Sequence, residues 1–177
     1  MAFSKLIRLA GLVTIVGSVV FALGLSLRFW LNPLRAEALA VPMFFLLVVA
    51  AGVAIVATAV LLRGVPRSRS AILAVALSLV GMVLAFAGLL MGFVGLLVIP
   101  VGALVAIGGL VILAYLAVRT GTLPWWGGVA LAVGFVPFLL LGLPPLAQPL
   151  IGVPWLVVGY AIFRAAGRST EVPSRVR

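Results

Sequence analysis

The sequence predicts an all-α fold, a polytopic transmembrane helical bundle of six spans arranged as three tandem helical hairpins. Three observations carry that prediction. Of 177 residues, 66% are hydrophobic and 8% charged, against about 25% charged in an ordinary soluble domain. The apolar residues gather into six long runs. The basic residues are distributed between those runs with a strong bias to one side.

A chain of this length folded in water cannot hide so much apolar surface, whereas apolar surface facing lipid costs nothing. A helix crossing the bilayer core needs ~20 mostly apolar residues. The runs lie at about 9–27, 39–62, 71–91, 94–118, 124–143 and 149–163, so that residues 1–166 form one six-helix transmembrane domain. They are helices, because an isolated strand leaves unpaired N–H and C=O groups in hydrocarbon. They do not alternate apolar and polar residues as barrel strands do.

The first run is about 19 residues long, longer than the ~7–15 apolar residues of a signal peptide, and is expected to be retained. Residues 71–118 carry no charge at their centre, yet are long enough for two crossings. In the sixth run, Gln148, Pro149 and Pro154 are placed to interrupt the outer part.

Charge sets the expected orientation. With the N-terminus inside, Lys5, Arg8, Arg63, Arg67, Arg69, Arg119, Arg164, Arg168, Arg175 and Arg177 fall inside, and only Arg28 and Arg35 outside. This positive-inside bias predicts six spans with both termini cytoplasmic. Residues 167–177 are polar and include Pro173, and are expected as a disordered cytoplasmic tail. Arg outnumbers Lys eleven to one beside abundant Ala, Gly, Leu and Val, which points to the cell membrane of a prokaryote with a GC-rich genome. Trp30, Trp125, Trp126 and Trp155 fall near span ends, where aromatic belts lie.

Short patterns suggest the hairpin repeat. Val16-Gly17, Val80-Gly81 and Val133-Gly134 recur in the odd spans, and Val41-Pro42, Ile99-Pro100 and Val153-Pro154 near the starts of the even ones. Each even span ends in Arg with Gly shortly after, a helix C-cap arrangement that also suits the cytoplasmic interface.

Helices in lipid associate by close contact and polar pairs, so small residues mark their seams. Thr14 and Ser18 belong to a series of small residues at every fourth position in the first span, Ala10, Thr14, Ser18, Ala22 and Ser26. Gly81, Ala85, Gly88 and Gly92 form a stripe in the third, with Gly102, Ala106 and Gly109 in the fourth. The fifth offers Gly128, Ala130, Ala132 and Gly134, and Pro137 is expected to kink it.

The chain has no Cys and no His, and only two acidic residues, Glu37 and Glu171, both outside the runs. Zinc, haem and iron–sulfur ligation lack their usual donors. A Ser-His-Asp or Cys-His mechanism cannot be assembled, and with neither glutamate in a span paired-carboxylate catalysis is not expected. No cofactor and no metal are therefore expected, and the chain is expected not to be an enzyme. Its basic residues stand singly between apolar runs, a pattern of topology and headgroup contact rather than of nucleic-acid binding. Two Tyr–Arg pairs at helical spacing, Tyr115 with Arg119 and Tyr160 with Arg164, are candidate lipid-headgroup contacts. An aromatic belt with snorkelling arginines is the simpler account of them.

The functional expectation is a non-enzymatic multi-pass integral membrane protein, a structural or accessory subunit. Its expected partners are the lipid bilayer and other membrane subunits or a second copy. The alternative is a transporter or channel for a neutral, anionic or lipidic solute, which would need a polar cavity bordered by Thr14, Ser18, Thr58 or Ser78.

Overall fold

The computed structural model describes residues 2–27, 33–62, 68–91, 95–136 and 145–168. Among these residues six α-helices follow one another: α1 (Ala2–Leu27), α2 (Pro33–Leu61), α3 (Ser68–Leu90), α4 (Gly95–Arg119), α5 (Trp125–Val133) and α6 (Val153–Arg168). A 3-10 segment over Pro145–Gly152 leads into α6, and there is no strand among the described residues.

Among the described residues, five segments are long and apolar enough to cross a membrane: Ser4–Leu27, Val41–Leu61, Arg69–Gly88, Leu97–Arg119 and Gln148–Gly167. Between 33% and 44% of each apolar window is buried inside the bundle. Most of the apolar surface, including Leu97, Ile72 and Val83, therefore points outward. Apolar surface of that extent is a liability in water and fits a multi-pass membrane protein.

The helix boundaries follow the sequence reading at some points and depart from it at others. α2 begins at Pro33 rather than near Leu39, so Glu37 and Arg35 stand in its first turns and not in a loop. Proline suits a helix start, because its fixed φ is helical and its missing N–H has no partner there. The 71–118 stretch divides into two helices, with a Met91 N–H to Gly88 carbonyl bond (3.1 Å) closing the end of α3. The fifth run is helical over Trp125–Val133, and Pro137 with the rest of that run lies outside the described residues, so the fifth run is not among the five spanning segments. The outer part of the sixth run is the 3-10 segment, which contains Pro149. α6 continues to Arg168, two residues into the expected tail, and residues 169–177 lie outside the described residues.

Contacts run in a closed ring. Each helix packs on its chain neighbours, α6 returns along α1, and α2 reaches α6 across the middle. The α3–α4 interface is the most extensive and α1–α6 the next, while α2–α3 is sparse. Packing is antiparallel. Along α3 and α4, Ser78 meets Gly109, Gly81 meets Gly102 and Ala106, and Gly88 meets Gly95 and Ile99. A Cβ on Gly109 would lie 2.5 Å from the Ser78 amide nitrogen, so the two backbones touch with no room for a side chain. α1 and α6 approach as closely at Gly11 and Gly159, each of which would press a Cβ against the other's helix.

The recurrent odd-span glycines have a common geometry. Gly17 faces Ala50 on α2, Gly81 faces α4, and Gly134 faces the Trp155 ring on α6. In each case the glycine admits the next even-numbered helix.

This packing gathers most of the described cations at one end, Arg35 in the first turns of α2 being the exception. Arg8 near the start of α1 lies against Gly167 near the end of α6. Leu61 at the end of α2 shares a recess with Arg164, and Leu62 shares another with Ala71 at the start of α3. Lys5, Arg8, Arg69, Arg119 and Arg164 therefore all stand at the same end, while the start of α2 and the 3-10 segment stand at the other.

Candidate functional site

The basic end holds the polar groups available for recognition. α4 ends at Arg119, and Gly121 follows with φ of +69°, the left-handed conformation that favours glycine. The Gly121 N–H donates to the Val118 carbonyl (3.0 Å) and the Leu123 N–H to that of Ala117 (3.1 Å), satisfying carbonyls that the helix end leaves open. This turn holds Thr120 and Thr122 together, their hydroxyl oxygens 2.6 Å apart, with the Thr120 hydroxyl also bonding the Leu116 carbonyl at 2.9 Å.

Beside the turn is a recess of about 340 Å³ lined by Gly121, Thr122, Pro124, Ala161, Arg164 and Leu61. Its walls come from α2, the α4–α5 turn and α6. Arg164 is exposed at its edge. Neither acidic side chain is among the described ones, so no ion pair forms among them. A guanidinium and a hydroxyl at the mouth of such a recess are donors suited to a phosphate or carboxylate.

The two Tyr–Arg pairs are built differently. The Arg119 Nη1 donates to the Tyr115 hydroxyl (3.0 Å), with the guanidinium carbon 5.8 Å from the ring centroid, on the exposed face of α4. Tyr160 instead stacks on Trp126, centroids 6.0 Å apart and planes 25° apart, which leaves Arg164 to the recess.

The seam residues lie inside. Thr14, Ser18, Thr58 and Ser78 are buried, and each donates to the carbonyl four residues earlier, at 2.7–2.9 Å. Thr14 also reaches the Ala50 carbonyl on α2 at 3.3 Å. Among the described residues no buried polar side-chain atom lacks a partner. None of the four hydroxyls lines the Arg164 recess or the two apolar recesses along α2. Gly81, Ala85 and Gly88 face α4, while Gly92 lies outside the described residues.

Trp155 corrects the belt expectation. It is fully buried, its indole N–H donates to the Gly134 carbonyl (3.0 Å), and its ring meets Phe135 edge-on at 6.5 Å. The glycine at 134 gives the ring its space, and the carbonyl satisfies its polar edge, so the residue is a core element. Trp125 is 70% exposed, and Trp30 lies outside the described residues.

Sequence reasoning missed Thr120 and Thr122, which become neighbours only through the Gly121 turn. It also missed Gly11 and Gly159, which belong to no periodic stripe. The Gly two residues after Arg119 was the available signal for the turn.

No protein-family model matches the chain, and no curated protein and no solved structure matches it.

Proposed function

We propose that this chain is a non-enzymatic, structural or accessory membrane subunit, with six spans in three tandem hairpins and both termini on the cytoplasmic side of a prokaryotic cell membrane. The observation that carries the reading is how the interior polar groups are used: the buried hydroxyls of Ser18, Thr58 and Ser78 bond their own helices' carbonyls, and the helices meet through backbone contacts at glycine. A solute path would instead turn those hydroxyls toward a polar cavity.

The hairpin order is supported by Gly17, Gly81 and Gly134, each facing the even helix that follows it. The orientation is supported by the gathering of Lys5, Arg8, Arg69, Arg119 and Arg164 at one end. There Arg119 and Arg164 contact anionic headgroups, and the bilayer itself is the first partner.

The test is purification from the native membrane in a mild detergent, followed by sizing and mass spectrometry of the accompanying components. A defined complex with other membrane subunits is the expected result. A lone monomer or homo-oligomer overturns the accessory-subunit reading.

A further inference from the structure

The sparse α2–α3 interface leaves two apolar recesses side by side on the outside of the bundle. One, of about 470 Å³, lies between α1 and α2 and is lined by Leu6, Leu9, Val13, Gly52 and Val56 among others. The second, of about 480 Å³, lies between α2 and α3 and is lined by Ala59, Leu62, Ile72 and Val75 among others. They share Val56, Val60 and Leu79, and Val56 and Val60, one turn apart on α2, form the ridge between them.

Three features identify the occupant. The recesses run from residue 62 back to 52 on α2 and from 71 to 79 on α3, about 12–15 Å at the helical rise. That length fits within one leaflet of a hydrocarbon core ~30 Å thick, whereas a partner helix would press along the full depth. The recesses begin at the basic end. Lys5, four residues before Leu9 on α1, and Arg69, three before Ile72 on α3, are both exposed at that end, at spacings that share a helix face with the lining residues. Finally, Gly52 keeps the first recess open: a Cβ there meets only the Leu79 Cδ2, at 3.8 Å. This glycine is not needed for helix contact, unlike those of the α3–α4 seam.

We infer that this double groove holds one anionic diacyl phospholipid, an acyl chain in each recess and its phosphate between Lys5 and Arg69. The inference rests on the membrane reading but not on the accessory-subunit one. The apolar walls exclude water from the chains, and the two cations select the headgroup by charge. The site is separate from the Arg164 recess, which opens between α2, the α4–α5 turn and α6.

The full chain, delipidated in a mild detergent, is tested by native mass spectrometry with phosphatidylglycerol and with phosphatidylcholine of the same chain length. One phosphatidylglycerol is expected to be retained in preference to phosphatidylcholine. The Lys5→Ala/Arg69→Ala variant is expected to lose that preference, about thirtyfold for the two cations together. Gly52→Leu and, separately, Val56→Phe are expected to lose retention of both lipids with the thermal midpoint unchanged. Excess glycerol phosphate is expected not to displace the lipid.

Equal retention of the two lipids by the unaltered chain overturns the proposal. So does full retention by both groove-filling variants, or displacement by glycerol phosphate, which would assign the cations to a free phosphate. A co-purifying protein lost on filling the groove, with lipid retention unchanged, would make it a helix-docking face instead. Should a filling variant not fold, the double alanine variant still decides, because both cations lie on the surface. A chain that needs detergent but shows no headgroup preference lacks this site and keeps its membrane character.

Discussion

Gly81 on α3 lies directly against Ala106 on α4: a Cβ on Gly81 would sit 2.7 Å from the Ala106 Cα and 2.6 Å from the Gly102 carbonyl oxygen. The atoms in the way are backbone, which cannot turn aside as a side chain can. Gly81→Leu is therefore expected to destabilise the bundle by about 1–3 kcal/mol, the usual range for overpacking. Gly108, also on α4, has open space where a Cβ would stand, with no atom within 4 Å. Gly108→Ala is expected to be neutral or stabilising by up to ~1 kcal/mol through helix propensity. Thermal unfolding in detergent checks both, and equal effects would contradict the seam.

Trp155 offers a second measurement. Removing its indole N–H with Trp155→Phe leaves the Gly134 carbonyl without that donor and a gap beside Phe135, at an expected cost of about 1–3 kcal/mol. In variants retaining one tryptophan, Trp155 fluorescence is expected to resist quenching by brominated lipid, and Trp125 to be quenched strongly. Strong quenching of Trp155 would return it to the lipid interface.

The buried hydroxyls divide into two kinds. Ser78 and Thr58 donate within their own helices, bonds that persist in a separated helix, so Ser78→Ala and Thr58→Val are expected to cost less than the ~0.6 kcal/mol of an average interhelical bond. Thr14 also reaches the Ala50 carbonyl on α2, and Thr14→Val is expected to cost about 0.6 kcal/mol, the average interhelical hydrogen bond in a membrane. Urea or detergent-mixture unfolding ranks the three. A larger effect at Ser78 than at Thr14 would contradict the assignment.

Orientation is directly accessible, because the chain has no cysteine. Thr120→Cys, at the basic end, is expected to react with an impermeant maleimide only after cells are opened. Gln148→Cys, in the 3-10 segment at the opposite end, is expected to react in intact cells. The reverse pattern would invert the topology.

Much of this was legible in the residue order. Helix type and membrane character follow from local properties: long apolar runs, few charges, and backbone groups that only a helix can satisfy in hydrocarbon. Glycine and proline marked several ends, as Gly121 does after α4. The start of α2 was misplaced because Arg35 and Glu37 lower its hydropathy without interrupting a helix, so the apolar run and the helix are different lengths.

Only tertiary structure decided which faces meet. Gly17, Gly52 and Gly81 look alike in sequence, yet Gly17 admits α2, Gly81 admits α4, and Gly52 opens a groove. Trp155 reads as a belt residue by position, but the space and carbonyl that bury it come from Gly134, twenty-one residues earlier. In a chain where so many side chains are apolar, hydropathy separates helix from loop but cannot separate a face toward lipid from a face toward another helix. That choice rests on shape, and shape is known only when the helices are set beside one another.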